Sequence, residues 1–255
     1  MTLVAMSGVT KRFGGLTAVS DFELSLREGE LVGLIGPNGA GKTTVFNLIT
    51  GMYAPTSGVI RFKGREIQGK KPHEIARMGI ARTFQNLRLF KNLTVLQNVA
   101  IARQMESRYS LLSAVLQTRA FRSEEKRVMD ESLSLLRLVG LSEKAREKAR
   151  NLPYGYQRRL EIARALALKP TVLLLDEPAA GMNPDESLSL MDFIQDVLET
   201  FGLTILLIEH HMEVIMGICS RILVLNFGCT IAKGSPEEIQ ANPEVIKAYL
   251  GEVQQ

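Results

Sequence analysis

The chain has 255 residues, of which 45% are apolar and 23% charged, with no Trp. That length suits one large α/β domain or two small ones and buries roughly 70 to 75% of the unfolded surface, which excludes a disordered chain or a miniature scaffold. The net charge of +4 suits phosphate-bearing ligands or an anionic lipid surface and is too small to argue for nucleic acid.

The chain opens MTLVAMSGVTKRFGG, without an apolar signal run, and carries only Cys219 and Cys229. The expectation is a reducing cytosol with both cysteines in the core. TAVSDFELSL, GELVGLIG and SGVIRFKG alternate or are β-branched and predict a β-rich opening. Between the last two, GAGKTTVFNLITG begins at glycines, carries Val45, Leu48 and Ile49 and stops at Gly51, which predicts a strand-loop-helix unit.

From about 87 to 167 strand signals vanish, and LTVLQNVAIARQ, EEKRVMDESLSLLRLVGL and GYQRRLEIARALAL show helical spacing, so this stretch reads as a helical subdomain. After Pro170 come TVLLLDEP, a helix from about Asp185 to Thr200, LTILLIEH, a short helix, SRILVLNFG and CTIAKGS, the alternation of a largely parallel core. Two short helices around Pro236 and Pro243 form a C-terminal extension over about 236–255. The fold class is therefore α/β, with a mixed or parallel sheet core in a single domain spanning 1–255. The apolar runs VLLL and LTILLI fall far short of the roughly 20 residues of a membrane-spanning helix, so any membrane passage belongs to another chain.

Gly36 to Thr43 reads GPNGAGKT, matching G-x-x-x-x-G-K-[ST] between a predicted strand and a predicted helix. Such glycines let successive N–H groups face a phosphate, the helix N-terminus adds positive potential, Lys42 reaches the β/γ-phosphates and Thr43 ligates Mg²⁺. VLLLDEP ends an apolar strand in two carboxylates, which assigns Asp176 to the Mg²⁺ shell and Glu177 to the attacking water as general base. His210 ends LTILLIEH, where an imidazole is either structural or a contact for the γ-phosphate or that water. His211 reads as a solvated or capping residue, and the methionines from Met212 to Met216 as packing. Gln85 in IARTFQNLRLF is either a surface residue or an amide sensing metal and γ-phosphate. Phe13 in TKRFGG either stacks on a purine ring or is a buried aromatic near the N-terminal sheet.

In this order, GPNGAGKT, Gln85, LPYGYQ, LLLDEP, Asn183 in AAGMNP and His210 resemble the nucleotide-binding subunits of ABC transporters over nearly the whole chain. The resemblance implies an N-terminal antiparallel β subdomain, a helical signature subdomain and a head-to-tail dimer sandwiching two ATP molecules. Nucleotide binding is then expected from Phe13, Gly36, Pro37, Asn38, Gly39, Ala40, Gly41, Lys42, Thr43 and Thr44, with Mg²⁺ at Thr43, Gln85 and Asp176. Catalysis is expected from Glu177, His210 and Gln85. Leu152, Pro153, Tyr154, Gly155, Tyr156 and Gln157 are expected to meet the opposite chain's ATP, and Asn183 to lie at the dimer interface. The loop departs from the usual LSGGQ at Pro153, Tyr154 and Tyr156, so one serine contact to the γ-phosphate is missing.

At finer grain RTFQNLRLFKNLTVLQNV, the insert near Met105 to Arg127, DEPAAGMNP, LLIEHHMEVIMG and PEVIKAYLGE resemble the ATPases of bacterial branched-chain amino-acid importers. Lipopolysaccharide-export ATPases share the ending, and the insert argues against them. The importer resemblance implies permease subunits, a sister ATPase in a heterodimer, an indirect solute-binding protein and a peripheral place on the cytoplasmic face of the inner membrane. A P-loop GTPase or kinase is disfavoured by the lack of N-K-x-D, and a soluble ABC ATPase acting on nucleic acid by the single compact cassette.

Overall fold

Gly14 and Gly15 turn the chain between β1 (Thr2–Phe13) and β2 (Leu16–Arg27), an antiparallel hairpin whose inward residues include Val4, Met6, Phe22 and Leu26. β3 (Leu31–Ile35) follows, then α1 (Lys42–Ile49), β4 (Ser57–Phe62), β5 (Arg65–Glu66), α2 (Pro72–Met78) and β6 (Ile80–Arg82). The computed structural model describes residues 1–106, 111–210 and 212–250. They divide into two units, Met1–Gln85 with Thr171–Gln255, and Asn86–Pro170.

The second unit holds α3 (Val95–Arg103), α4 (Leu111–Val115), α5 (Arg119–Leu138) and α6 (Tyr154–Leu166). Thr94 and Gln97 start α3 with a reciprocal capping box. Inside the unit the buried Arg103 donates to Glu131 at 2.6 Å and to the Ala167 carbonyl at 3.1 Å. Burial alone raises the Glu131 pKa, but the hydrogen bonds from Arg127 and Arg103 outweigh it and hold the carboxyl below its usual range.

The first unit resumes with β7 (Val172–Asp176), α7 (Pro184–Phe201), β8 (Thr204–Ile208), α8 (Met212–Ile218), β9 (Arg221–Asn226), β10 (Cys229–Gly234), α9 (Pro236–Gln240) and α10 (Pro243–Leu250). Its two sheets run β2-β1-β4-β5 and β10-β9-β3-β8-β7-β6. In the larger one β6, β7, β8, β3 and β9 are parallel and only β10 is antiparallel. Every residue of β3, β7 and β8 is buried, which is why, apart from Asp176 at the end of β7 and Thr204 at the start of β8, their sequences are apolar. Phe22, Phe46 and Phe62 are among the largest fully buried side chains, and truncating one to Ala would cost about 3–5 kcal/mol.

The cysteine expectation needs correction at one position. Cys219 is buried, and burial pushes its thiol up to about 12, whereas Cys229 is exposed because it opens the edge strand β10. The seven residues of α2 are too few for periodicity to reveal.

Candidate functional site

β3 delivers the chain into a loop that curls before α1, with Gly36 at φ 147° and Gly41 at φ 107°. A Cβ on Gly36 would strike the Leu225 carbonyl, and one on Gly41 would come within 2.5 Å of the Ala18 carbonyl, so only glycine fits either turn. Pro37 and Ala40 are buried, while Asn38, Gly39 and Thr43 are exposed and Thr44 is half-buried. Lys42 is buried and folds back, its Nζ donating to the Gly36 carbonyl at 2.6 Å and to the Pro37 carbonyl at 2.9 Å.

This loop lines a cavity of about 480 Å³ that contains residues 38–44 together with Phe13, Glu177, His210 and Phe227. Phe13 is 41% exposed, its ring set edge-on to Tyr53 at 5.1 Å, and Lys11 Nζ lies 4.9 Å from its centroid. The core alternative for Phe13 is thereby excluded. Phe227 is 87% exposed with φ at 46°, an uncommon backbone for an aromatic residue, at the turn between β9 and β10.

β7 ends at the same cavity. Asp176 is buried and accepts from Arg82 Nη2 at 2.6 Å. Glu177 has φ 48°, and its N–H donates to the Ile208 carbonyl at 2.9 Å, which ties it to the end of β8. Its Oε2 accepts from Gln85 Nε2 at 2.7 Å, and its Oε1 lies 2.6 Å from His210 Nε2, a separation that fits an N–H donating to a carboxylate. Gln85, Glu177 and His210 are thus brought together, although they come from three separate segments. A backbone outlier at an acid lining a cavity is the kind of strain that functional sites retain.

Asn183 does not join this cluster. It caps α7, its side chain accepting from the Glu186 N–H at 2.9 Å while the Asn183 N–H donates to Glu186 Oε2 at 3.2 Å. His211 lies outside the described residues, as do residues 251–255 of the C-terminal extension. In the stretch Met212 to Met216, Val214 and Ile215 are buried and both methionines are half-buried, which agrees with packing.

In the second unit Leu152 is buried and Pro153 stands at the N-cap of α6 without a side-chain cap. Gln157 Nε2 donates to the Leu152 carbonyl at 2.8 Å and so closes the loop on itself. The Tyr154 hydroxyl accepts from Arg158 Nη2 at 2.7 Å, and the Tyr156 ring lies 5.1 Å from Lys144 Nζ. A Cβ built on Gly155 meets nothing within 4 Å.

Three residues escaped the sequence reading. Arg82 and Tyr53 carry no motif, and Glu209 is obscured by its neighbour His210. Glu209 is buried and accepts from the Ala179 N–H at 2.7 Å and the His210 N–H at 3.2 Å, which steadies the segment after β7.

Comparison with known proteins places these features in a family. The ABC transporter family pattern matches residues 19–180, and that of the branched-chain amino acid ATP-binding cassette transporters matches residues 229–254. The chain is 50% identical to the high-affinity branched-chain amino acid transport ATP-binding protein LivG of Salmonella typhimurium, over 98% of both chains. It is 49% identical to the protein BraF of Pseudomonas aeruginosa, of the same description and over the same share of each chain. Among solved structures, the ADP conformation of MJ1267, an ATP-binding cassette of an ABC transporter, superposes with a TM-score of 0.86 at 30% identity, covering 98% of this chain and 99% of that one.

Proposed function

The chain belongs to the ABC transporter family of ATP-binding cassettes, and from that premise we propose that it is the ATP-hydrolysing subunit of a branched-chain amino-acid importer. The observation that carries the chemistry is Glu177, bracketed by Gln85 and His210 at the cavity that holds the phosphate loop. The cargo rests on the full-length similarity to LivG and BraF and on the C-terminal match.

In this reading the N–H groups of residues 36–44 and the N-terminus of α1 receive the phosphates, Lys42 exchanges its two carbonyls for phosphate oxygens, and Phe13 stacks on the base. Glu177 takes the proton of the attacking water, while the Gln85 amide and His210 imidazole orient carboxylate and water. The Thr43 hydroxyl, the Asp176 carboxylate and the Gln85 amide form an all-oxygen donor set that suits Mg²⁺. Such an ion keeps several waters and substrate phosphates in its shell, so few protein ligands are needed to hold it. Magnesium would supply charge neutralisation at the β- and γ-phosphates.

The helical unit Asn86–Pro170 is read as the signature subdomain, its residues 152–157 addressing the ATP of a sister cassette and its segment after Gln85 receiving the permeases. Asn183 is read as lying at the interface with that cassette, and the segment from Pro236 as a C-terminal extension. No described helix is long and apolar enough to cross a membrane. The place beside separate permeases, on the cytoplasmic face, rests on the similarity to LivG and BraF. The test is ATPase activity of the chain assembled with its permeases and sister ATPase in lipid. It should rise when a solute-binding protein loaded with leucine, isoleucine or valine is added. Indifference to these three with stimulation by another cargo would refute the reading.

A further inference from the structure

Arg82 ends β6, three residues before Gln85, and its guanidinium is divided between two elements. Nη2 donates to Asp176 Oδ2 at 2.6 Å, and Nη1 donates to Asn47 Oδ1 on α1 at 2.7 Å. The Phe46 and Phe84 rings lie 5.4 and 5.1 Å from its Cζ. The side chains of Arg82 and Asp176 are only 7% and 5% exposed. One donor, Nε, is buried with no acceptor among the described residues. An ion pair serving stability alone would gain from satisfying that donor, since buried unpaired groups are costly. Here the fork instead spans α1, which begins with Lys42 and Thr43, and the acidic end of β7, while its flank rests on the segment leading to Gln85.

We propose that Arg82, through its fork to Asn47 and Asp176, is a positioning residue of the nucleotide site, fixing the Asp176 carboxylate relative to α1 so that one oxygen stays turned toward the metal. Arg82 holds Oδ2, and the bond to Asn47 prevents the guanidinium from swinging with the carboxylate. A lysine would balance the same charge from a single point and could not span both acceptors with a planar fork. Charge and geometry are therefore separable by substitution. The inference rests on the nucleotide-site reading above.

The experiment titrates a fluorescent ATP analogue into the full chain, in EDTA and at increasing Mg²⁺, for the parent, Arg82→Lys and Asn47→Leu, with thermal melting recorded for each. Both variants should bind the analogue in EDTA as the parent does but need about 10- to 100-fold more Mg²⁺ for the same enhancement, the usual cost of losing a partner that orients a metal-binding side chain. Unchanged Mg²⁺ dependence in folded Asn47→Leu, or parallel loss of EDTA and Mg²⁺ binding in both variants, overturns the inference. Should Arg82→Lys fail to fold, Asn47→Leu decides alone, because it leaves the Arg82–Asp176 pair in place. Failure of the parent chain to bind the analogue at all would refute the nucleotide reading instead.

Discussion

The phosphate-loop end of the first unit and the start of α6 in the second differ in how they satisfy their polar groups. At the former, Lys42 donates to two carbonyls of its own loop, Asp176 is paired with Arg82, and Glu177 is held by Gln85 and His210. At the latter the helix begins at a proline with no side-chain cap, and a Cβ on Gly155 would point into open space. Tyr154 is turned along the helix to Arg158. One region is complete within its own chain. The other is the loop proposed above to address a sister cassette, and the space beside its Gly155 is open to an added side chain.

The most severe way to break the self-contained region is Glu177→Gln. The amide keeps the size and can still accept from Gln85, but it cannot take a proton from water. Turnover should fall about 10²- to 10⁴-fold, the range for losing a general base, while ATP binding persists. Phosphate release and nucleotide titration measure the two separately, and hydrolysis at the parent rate would remove Glu177 from the role.

The loop at the start of α6 is tested by Gly155→Asp. Because nothing lies within 4 Å of the added Cβ, the melting temperature of the isolated chain should hardly move. ATPase activity of the assembled transporter should nevertheless fall about 100-fold, comparable to losing one phosphate-facing donor. A large drop in melting temperature would show that Gly155 serves its own fold and would erase the contrast between the regions. Lys42→Ala is a milder blow to the first region. It should weaken ATP binding about 10- to 100-fold, as expected for losing charge-assisted hydrogen bonds, and unchanged affinity in a titration would contradict the assignment.

The contrast also explains what could be read from the sequence. GPNGAGKT and VLLLDEP are legible because their chemistry lies in consecutive residues, and the buried β3 and β7 appear as the apolar runs that lead into the glycines of the one and the carboxylates of the other. The pairing of β3 with β8 and β9 joins residues far apart in the chain, so neither the sheet order nor the meeting of Gln85 with Glu177, 92 positions away, is written in any local period. Arg82 hides for the same reason, with its carboxylate partner 94 positions on. The strand carrying Phe13 was blurred by repeated register shifts, which break the alternation of β1. In the second unit, by contrast, the turn of Tyr154 onto Arg158 is an i,i+4 contact that helical spacing alone could have suggested.

The smallest expected effect belongs to Pro153→Ser, which restores the residue type of the usual signature at the N-cap of α6. Serine there can accept from an N–H of the first turn, a gain of about 0.5–2 kcal/mol when a cap replaces a residue without one. Proline, however, restricts the unfolded chain, and removing it costs about 0.4–1 kcal/mol. The two terms nearly cancel, so the melting temperature should stay close to that of the parent. Activity should be retained or rise, because the hydroxyl adds a donor without adding bulk where Gly155 faces outward. If Pro153→Ser instead lowers ATPase activity as far as Gly155→Asp does, with the fold intact, the backbone N–H groups at the start of α6 are not what this loop offers its partner. The proline ring itself would then be part of the contact.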